Sequence, residues 1–239
     1  MRIDKFLSEN GIASRKDTAR MARGGQITVN GTVEKDPSRH IDPEKDILTV
    51  AGAVIKHDPM VYVMLNKPTG YVSATEDGHL PTVLELLPPE LRARDLFPCG
   101  RLDRDTTGLM LLTNDGQMAH LLLSPKRHVE KRYAFTCAEP LCPEAEALCE
   151  KGMTLGSGEV LLPATLFPTP DRMGGEILLK EGKYHQIKRM LGAMHNRIVT
   201  LKRIAFGPLS WDETLSEGEW RYLTKEEIFA LEKAAYQKT

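Results

Sequence analysis

A chain of 239 residues has room for one large domain, or for one large and one small. Its 41% hydrophobic and 27% charged residues are ordinary for a globular protein, and a formal net charge of -1 excludes a uniformly basic nucleic-acid binder while leaving room for local basic patches. The longest apolar runs (61–65, 109–112) are too short for a bilayer, residues 1–20 lack a signal-peptide core, and Cys99, Cys137, Cys142 and Cys149 lack C-x-x-C or zinc spacing; a cytoplasmic chain with reduced cysteines, no metal and no membrane partner is expected.

Ile3, Phe6, Leu7 and a stop at Asn10 and Gly11 predict a short amphipathic helix. Ser14, three residues before Asp17, opens a second helix that carries Arg15, Lys16, Arg20 and Arg23 and ends at Gly24. Ile27, Val29 and Val33 alternate around Asn30 and Gly31, a hairpin signal. Strands at 47–50 and 53–56 follow before Asp58 and Pro59 break the chain. These signals place a small domain at 1–58, a linker at 59–60 and a second domain at 61–236. The four cations fall largely along one side of their helix, a surface suited to the phosphates of structured RNA, although such a run alone is more simply a solvated face.

In the second domain, strands are predicted at 61–65, 96–99, 109–113, 133–137, 165–167, 176–179 and 198–204. Helices are predicted at 83–87, 118–123, 144–150, 184–194 and 225–235, the last opened by Thr224 and Glu227. Strands outnumber helices without βαβ alternation, so the fold class is α+β with a mixed, mainly antiparallel sheet. G-x-G-x-x-G, G-x-x-x-x-G-K-[ST] and H-E-x-x-H patterns are missing, which weighs against nucleotide and zinc-peptidase chemistry; no cofactor is expected. His128, His185 and His195 lack partners at metal-ligand spacing.

Residues 99–120 hold Asp103, Asp105 and Asp115, with Arg101 and Arg104 interleaved. Asp115 before Gly116 reads as a turn or helix cap. Asp103 follows a short strand, lies between two arginines and precedes Thr106, Thr107 and Gly108, where the chain is expected to bend. A carboxylate held by cations stays ionised and can act as nucleophile or base, although spacing alone favours a structural salt bridge. A nuclease would need more metal-binding carboxylates than these. Lys126, Arg127, Lys131 and Arg132 precede or adjoin Tyr133. Lys180, Lys183, Lys188, Arg189, Arg197, Lys202 and Arg203 follow with Glu181 the sole acid among them, so a phosphate-binding cleft is expected.

The run RIDKFLSENGIASRKDTARMARGGQITVNGTVEKD, from Arg2 to Asp36, resembles the S4 RNA-binding fold. GRLDRDTTGLMLLTNDG, from Gly100 to Gly116, resembles the signature of the RsuA/RluA-type pseudouridine synthases. Three further segments resemble that family's motifs in the same order: Asn66, Lys67, Pro68, Thr69 and Gly70; then Lys131, Arg132 and Tyr133; then EGKYHQIKRM from Glu181 to Met190. The resemblance implies that Asp103 is catalytic, that Tyr133 stacks on a flipped-out uridine and that Lys188 pairs with the aspartate. It also implies RNA contacts from Lys67, Arg101, Lys131, Arg132, Lys183, His185, Gln186 and Arg189, beside Arg15, Lys16, Arg20 and Arg23 of the S4 module. The Lys183–Gln186 stretch and the D-x-D signature resemble the branch that acts on small-subunit (16S) ribosomal RNA. The expected partner is that RNA, free or in an assembling subunit, and the expected enzyme is a cofactor-free monomer. The alternatives are a non-catalytic S4-type RNA-binding or ribosome-assembly factor, and an N-glycosidase or nuclease using Asp103.

Overall fold

The computed structural model describes residues 1–10, 12–43, 45–55, 60–124, 127 and 129–236. The stop at Gly11, the end of the fourth strand at Lys56, the break at Asp58 and Pro59, Lys126 and His128 lie outside the described residues. Two compact units divide the chain, Met1–Met60 and Val61–Thr239.

In the first unit, α1 (Ile3–Glu9) and α2 (Arg15–Arg23) precede β1 (Ile27–Val29), β2 (Thr32–Val33), β3 (Leu48–Val50) and β4 (Ala53–Ile55). The strands form an antiparallel sheet ordered β2-β1-β3-β4. Ser14 starts α2 by accepting the Asp17 amide at 3.1 Å, and its hydroxyl donates to the Asp17 carboxylate at 2.6 Å, satisfying donors that the helix start leaves open. Asn30 and Gly31 both have positive φ (51° and 79°), as a tight hairpin turn requires. Ile3, Phe6, Leu7, Ala22, Ile27, Val29, Leu48 and Val50 make one core. Because α2 buries Thr18 and Ala22, its opposite side leaves Arg15, Lys16, Arg20 and Arg23 exposed. Arg20 pairs with Asp17 at 2.8 Å.

The second unit contains β5 (Tyr62–Lys67), a 3-10 turn (Val83–Leu86), α3 (Pro89–Arg92), β6 (Phe97–Pro98), β7 (Thr107–Thr113), α4 (Gly116–Leu123) and β8 (Lys131–Cys137). It continues with α5 (Ala145–Lys151), β9 (Thr165–Pro168), β10 (Gly174–Leu179), α6 (Gln186–Ala193), β11 (Ile198–Phe206), β12 (Leu209–Ser210), β13 (Trp220–Tyr222) and α7 (Lys225–Tyr236). The sheet runs β13-β5-β7-β11-β8-β10-β9, with β6 beside β7 and β12 beside β11. Among the described strands only β7 and β11 pair in parallel, through Thr107 with Lys202 and Gly108 with Arg203. The α+β class with a mixed, mainly antiparallel sheet is therefore the observed architecture.

Two apolar clusters of this unit flank the site. Phe135, Ile177, Leu179, Ile187, Met190 and Leu191 belong to one; Val63, Leu65, Met110 and Leu112 belong to the other. Tyr133 packs against both, which places it at their seam. Each buried branched side chain contributes about 1.5–3 kcal/mol. Asp115 caps α4 by accepting the Met118 amide at 2.8 Å, as its position before Gly116 suggested. Thr224 and Glu227 form a reciprocal cap on α7, whose Leu231 and Ala235 are buried. All four cysteines are free, and burial pushes the Cys99 and Cys149 thiols up to about 11.

The short elements α3, β12 and β13 escaped the periodicity reading. Trp220, Arg221 and Tyr222 make a strand because they pair with Leu65, Met64 and Val63, not because of any local pattern. The bend expected at Thr106, Thr107 and Gly108 comes earlier. Thr106 donates its amide to the Asp103 carbonyl at 3.1 Å, while Thr107 and Gly108 already belong to β7. Gly108 has φ +98°, and a Cβ there would lie 2.3 Å from the Arg203 carbonyl oxygen, so the glycine permits the close approach of β7 to β11. Among the described residues no helix is long and apolar enough to cross a membrane, and no cluster of three or more His, Cys, Asp or Glu could hold a metal.

Candidate active site

Asp103 lies in the loop joining β6 to β7, and the segment after β5 holds that loop. Lys67, at the end of β5, is fully buried and donates to the carbonyls of Pro68 (3.0 Å), Arg104 (3.2 Å) and Thr106 (2.9 Å). The Gly70 amide donates to the Arg104 carbonyl at 2.9 Å. Ser73 Oγ accepts the Leu102 amide at 2.9 Å and donates to the Leu102 carbonyl at 2.8 Å. The loop therefore carries its carboxylate in one fixed geometry, the condition for a preorganised reactive group. Burial pushes Lys67 down to about 8, against the charges of Asp105 and Asp103, which favour its proton.

The carboxylate faces α6 and the residue before it. Lys188 Nζ is 3.0 Å from Asp103 Oδ2 and 2.6 Å from Asp105 Oδ1. Partial burial disfavours the Lys188 charge, but the hydrogen bonds and charges of Asp105 and Asp103 outweigh it and raise its pKa. Partial burial likewise opposes ionisation of Asp105, yet the Lys188 bond and charge hold its carboxyl below the usual range. His185 Nε2 stands 3.6 Å from Asp103 Oδ1. Asp103, Thr106, Tyr133, His185 and Lys188 line one pocket, with Arg101 also on its wall. Thr106 is buried, and its Oγ1 has no hydrogen-bond partner among the described residues.

The sequence reading and the geometry part company at several residues. Arg101 and Arg104 were expected to hold Asp103. Both are exposed, neither forms an ion pair with it among the described residues, and the cation that does is Lys188. Lys67 was expected to touch RNA; its ammonium is instead sealed against backbone carbonyls. Gln186 is buried too, accepting the Lys183 amide at 3.0 Å and donating to Glu181 at 2.8 Å, so it shapes the turn. Lys131 turns its ammonium inward onto the Val129 carbonyl at 2.7 Å.

The remaining cations are partly engaged. Lys183 pairs with Glu159 at 3.3 Å, Arg189 pairs with Glu159 as well, and Arg132 pairs with Glu176 at 3.3 Å. The expected basic cleft is thus less open than the local composition suggested, because Glu159 and Glu176 arrive from distant sequence. Asp105 was not singled out as a site residue. Its two-residue spacing from Asp103 was the available signal, and only the fold shows that one lysine serves both.

Residues 61–163 match the family model described as RNA pseudouridylate synthase, and residues 1–47 match the S4 domain. The ribosomal small subunit pseudouridine synthase A of Pasteurella multocida is 40% identical over 238 residues, spanning 98% of this chain and 100% of that protein. The chain belongs to the RNA pseudouridine synthase family. Its members isomerise uridine to pseudouridine, and membership decides against the non-catalytic RNA-clamp alternative. RNA pseudouridine synthase YtzG of Bacillus subtilis is 41% identical across 97% of this chain and 98% of its own length. A solved pseudouridylate synthase matches with a TM-score of 0.70 and 38% identity, covering 97% of this chain and 99% of that one.

Proposed function

We propose that this enzyme converts one uridine of small-subunit (16S) ribosomal RNA to pseudouridine, with Asp103 as nucleophile. The observation that carries this reading is the Asp103 carboxylate, held by Lys188 at 3.0 Å in a pocket that Tyr133 also lines. The reaction breaks the bond from C1′ to N1, turns the uracil and joins C5 to C1′. A proton leaves C5 and one is gained at N1, so no oxidant, reductant or group donor is consumed. A nucleophilic carboxylate divides this rearrangement into easier steps.

The target base must leave its stack to reach Asp103, at a cost of a few kcal/mol. Stacking on the ring of Tyr133 offsets part of it, since base–aromatic stacking is worth about 1–3 kcal/mol. Lys188 orients Asp103 through a charge-assisted hydrogen bond. Residues 1–58 grip structured RNA through Arg15, Lys16, Arg20 and Arg23, residues 59–60 link, and residues 61–236 perform the chemistry. Arg101 and Arg132, both exposed, meet phosphates near the pocket. The enzyme acts as a cytoplasmic monomer; four free cysteines favour a reducing compartment.

Mapping pseudouridines in small-subunit ribosomal RNA from cells with and without the protein tests the proposal. Loss of one pseudouridine on deletion, restored by the wild-type chain but not by Asp103→Asn, is the expected result. An unchanged map would overturn the substrate assignment.

A further inference from the structure

Tyr184 is the most exposed of the large apolar side chains among the described residues, at 70%. It is also held in place. Its ring stacks on His185, with centroids 3.8 Å apart and planes 20° from parallel. His185 adopts a left-handed backbone conformation (φ 47°, ψ 35°) at the start of α6, an arrangement that costs a non-glycine residue strain unless its surroundings enforce it. Gln186 enforces it from one side through the Lys183 amide and Glu181. Arg189 enforces it from the other, donating from Nη1 to the Tyr184 carbonyl at 3.1 Å. His185 lies on the wall of the reactive pocket and turns a ring edge toward Asp103, with Nε2 3.6 Å from Oδ1. Tyr184, stacked on the face of that ring, is a flat aromatic surface beside the pocket.

We propose that Tyr184 is a stacking platform for the nucleobase next to the target uridine in the RNA strand. This rests on the reading that a uridine is flipped into the Asp103 pocket. Flipping strips one face of the neighbouring base of its stacking partner, and a rigid aromatic ring replaces it with little entropy loss on either side. A nearby positive charge favours the same strand path: Arg101 is exposed on the pocket wall. Tyr184 is not itself on the pocket wall, but both its chain neighbours, Lys183 and His185, are, whereas the other strongly exposed aromatics, Phe229 and Tyr222, have no chain neighbour there.

The test uses a small-subunit ribosomal RNA fragment containing the uridine that wild-type enzyme converts, with 2-aminopurine placed immediately 5′ or 3′ of it. Conversion of the unlabelled fragment by wild-type enzyme checks the functional reading, and failure there counts against that reading. The platform is checked by substitution. Tyr184→Ala is expected to raise KM about tenfold with kcat within about twofold, Tyr184→Phe to restore KM, and Tyr184→Leu to fail to restore it. With wild-type enzyme, 2-aminopurine fluorescence is quenched at one of the two positions, and Tyr184→Ala relieves the quenching. Unchanged KM in Tyr184→Ala, equal rescue by leucine, or quenching that survives the alanine overturns the platform. A fall in kcat at constant KM also overturns it, because Tyr184 would then act through His185 on Asp103.

Discussion

Lys188 sits closer to Asp105 than to Asp103: its Nζ is 2.6 Å from one carboxylate and 3.0 Å from the other. One cation thus serves two anions, of which Asp105 is the more solvated, with 70% of its side chain exposed against 27% for Asp103. Replacing Asp105 by Asn removes a negative neighbour and leaves Lys188 wholly to Asp103. Lys188 then holds the Asp103 carboxylate more tightly through its charge-assisted hydrogen bond. We expect kcat to fall about threefold to tenfold, because a more stabilised carboxylate is a weaker nucleophile. A kcat equal to wild type in Asp105→Asn, at unchanged RNA affinity, would show that Asp105 does not act through this pair.

Asp103→Asn keeps the shape of the side chain and removes its charge. Pseudouridine formation is expected to drop by about a thousandfold or more, with RNA affinity retained within a few-fold. The melting temperature should stay close to wild type, because Lys188 keeps Asp105 as partner. Full activity in this variant, read by mass spectrometry of the product RNA, would refute the proposed nucleophile. Lys188→Met should also lose most of its rate with only a modest loss of RNA affinity; normal single-turnover chemistry with collapsed affinity would make Lys188 a phosphate clamp instead.

Lys67 gives a pH prediction with two opposite signs. Its folded pKa, pushed down to about 8 by burial, lies below the ordinary 10.5. Between those values the unfolded chain binds more protons than the folded one, so the Lys67 contribution to stability rises with pH. The rate should move the other way: above about pH 8 the neutral amine has two hydrogens for three carbonyls, and the Asp103 loop loses a restraint. Comparing wild type with Lys67→Met, the stability difference should grow in favour of wild type from pH 8 to 10 while wild-type kcat declines. Parallel pH slopes of stability in the two proteins would contradict this.

Gly108→Ala is expected to destabilise the second unit by about 1–3 kcal/mol, as overpacking does. The added Cβ would meet the Arg203 backbone, with its carbonyl oxygen at 2.3 Å and amide nitrogen at 2.9 Å, and φ +98° adds strain. The displaced start of β7 adjoins the Asp103 loop, so kcat should fall as well. Urea unfolding and initial rates on one preparation check both.

What the sequence made legible was local. Ser14 with Asp17, Asn30 with Gly31, and Thr224 with Glu227 each announce a cap or turn through residues a few positions apart, and each forms it. Long-range pairing was opaque. Nothing near Lys67 signals that its ammonium turns onto the Asp103 loop, because the acceptors are carbonyls, which every residue has. Glu159 sits 24 positions before Lys183 and 30 before Arg189, so the neutralisation of those cations needed the fold. Asp103 and its partner Lys188 stood out through their motifs; spacing alone pointed to the flanking arginines, which form no ion pair with Asp103 among the described residues, while the lysine that does lies on α6.

The parallel pairing of β7 with β11 also sets a schedule. On an emerging nascent chain, α1, α2 and the first sheet are complete early, and the loop bearing Asp103 follows. At that moment β7 lacks its neighbour at Lys202 and Arg203, and Asp103 lacks Lys188. Domains form in order as they leave the ribosome, and pairings distant in sequence form last. Grip therefore matures before chemistry, and a polypeptide interrupted before β11 would hold RNA without altering it.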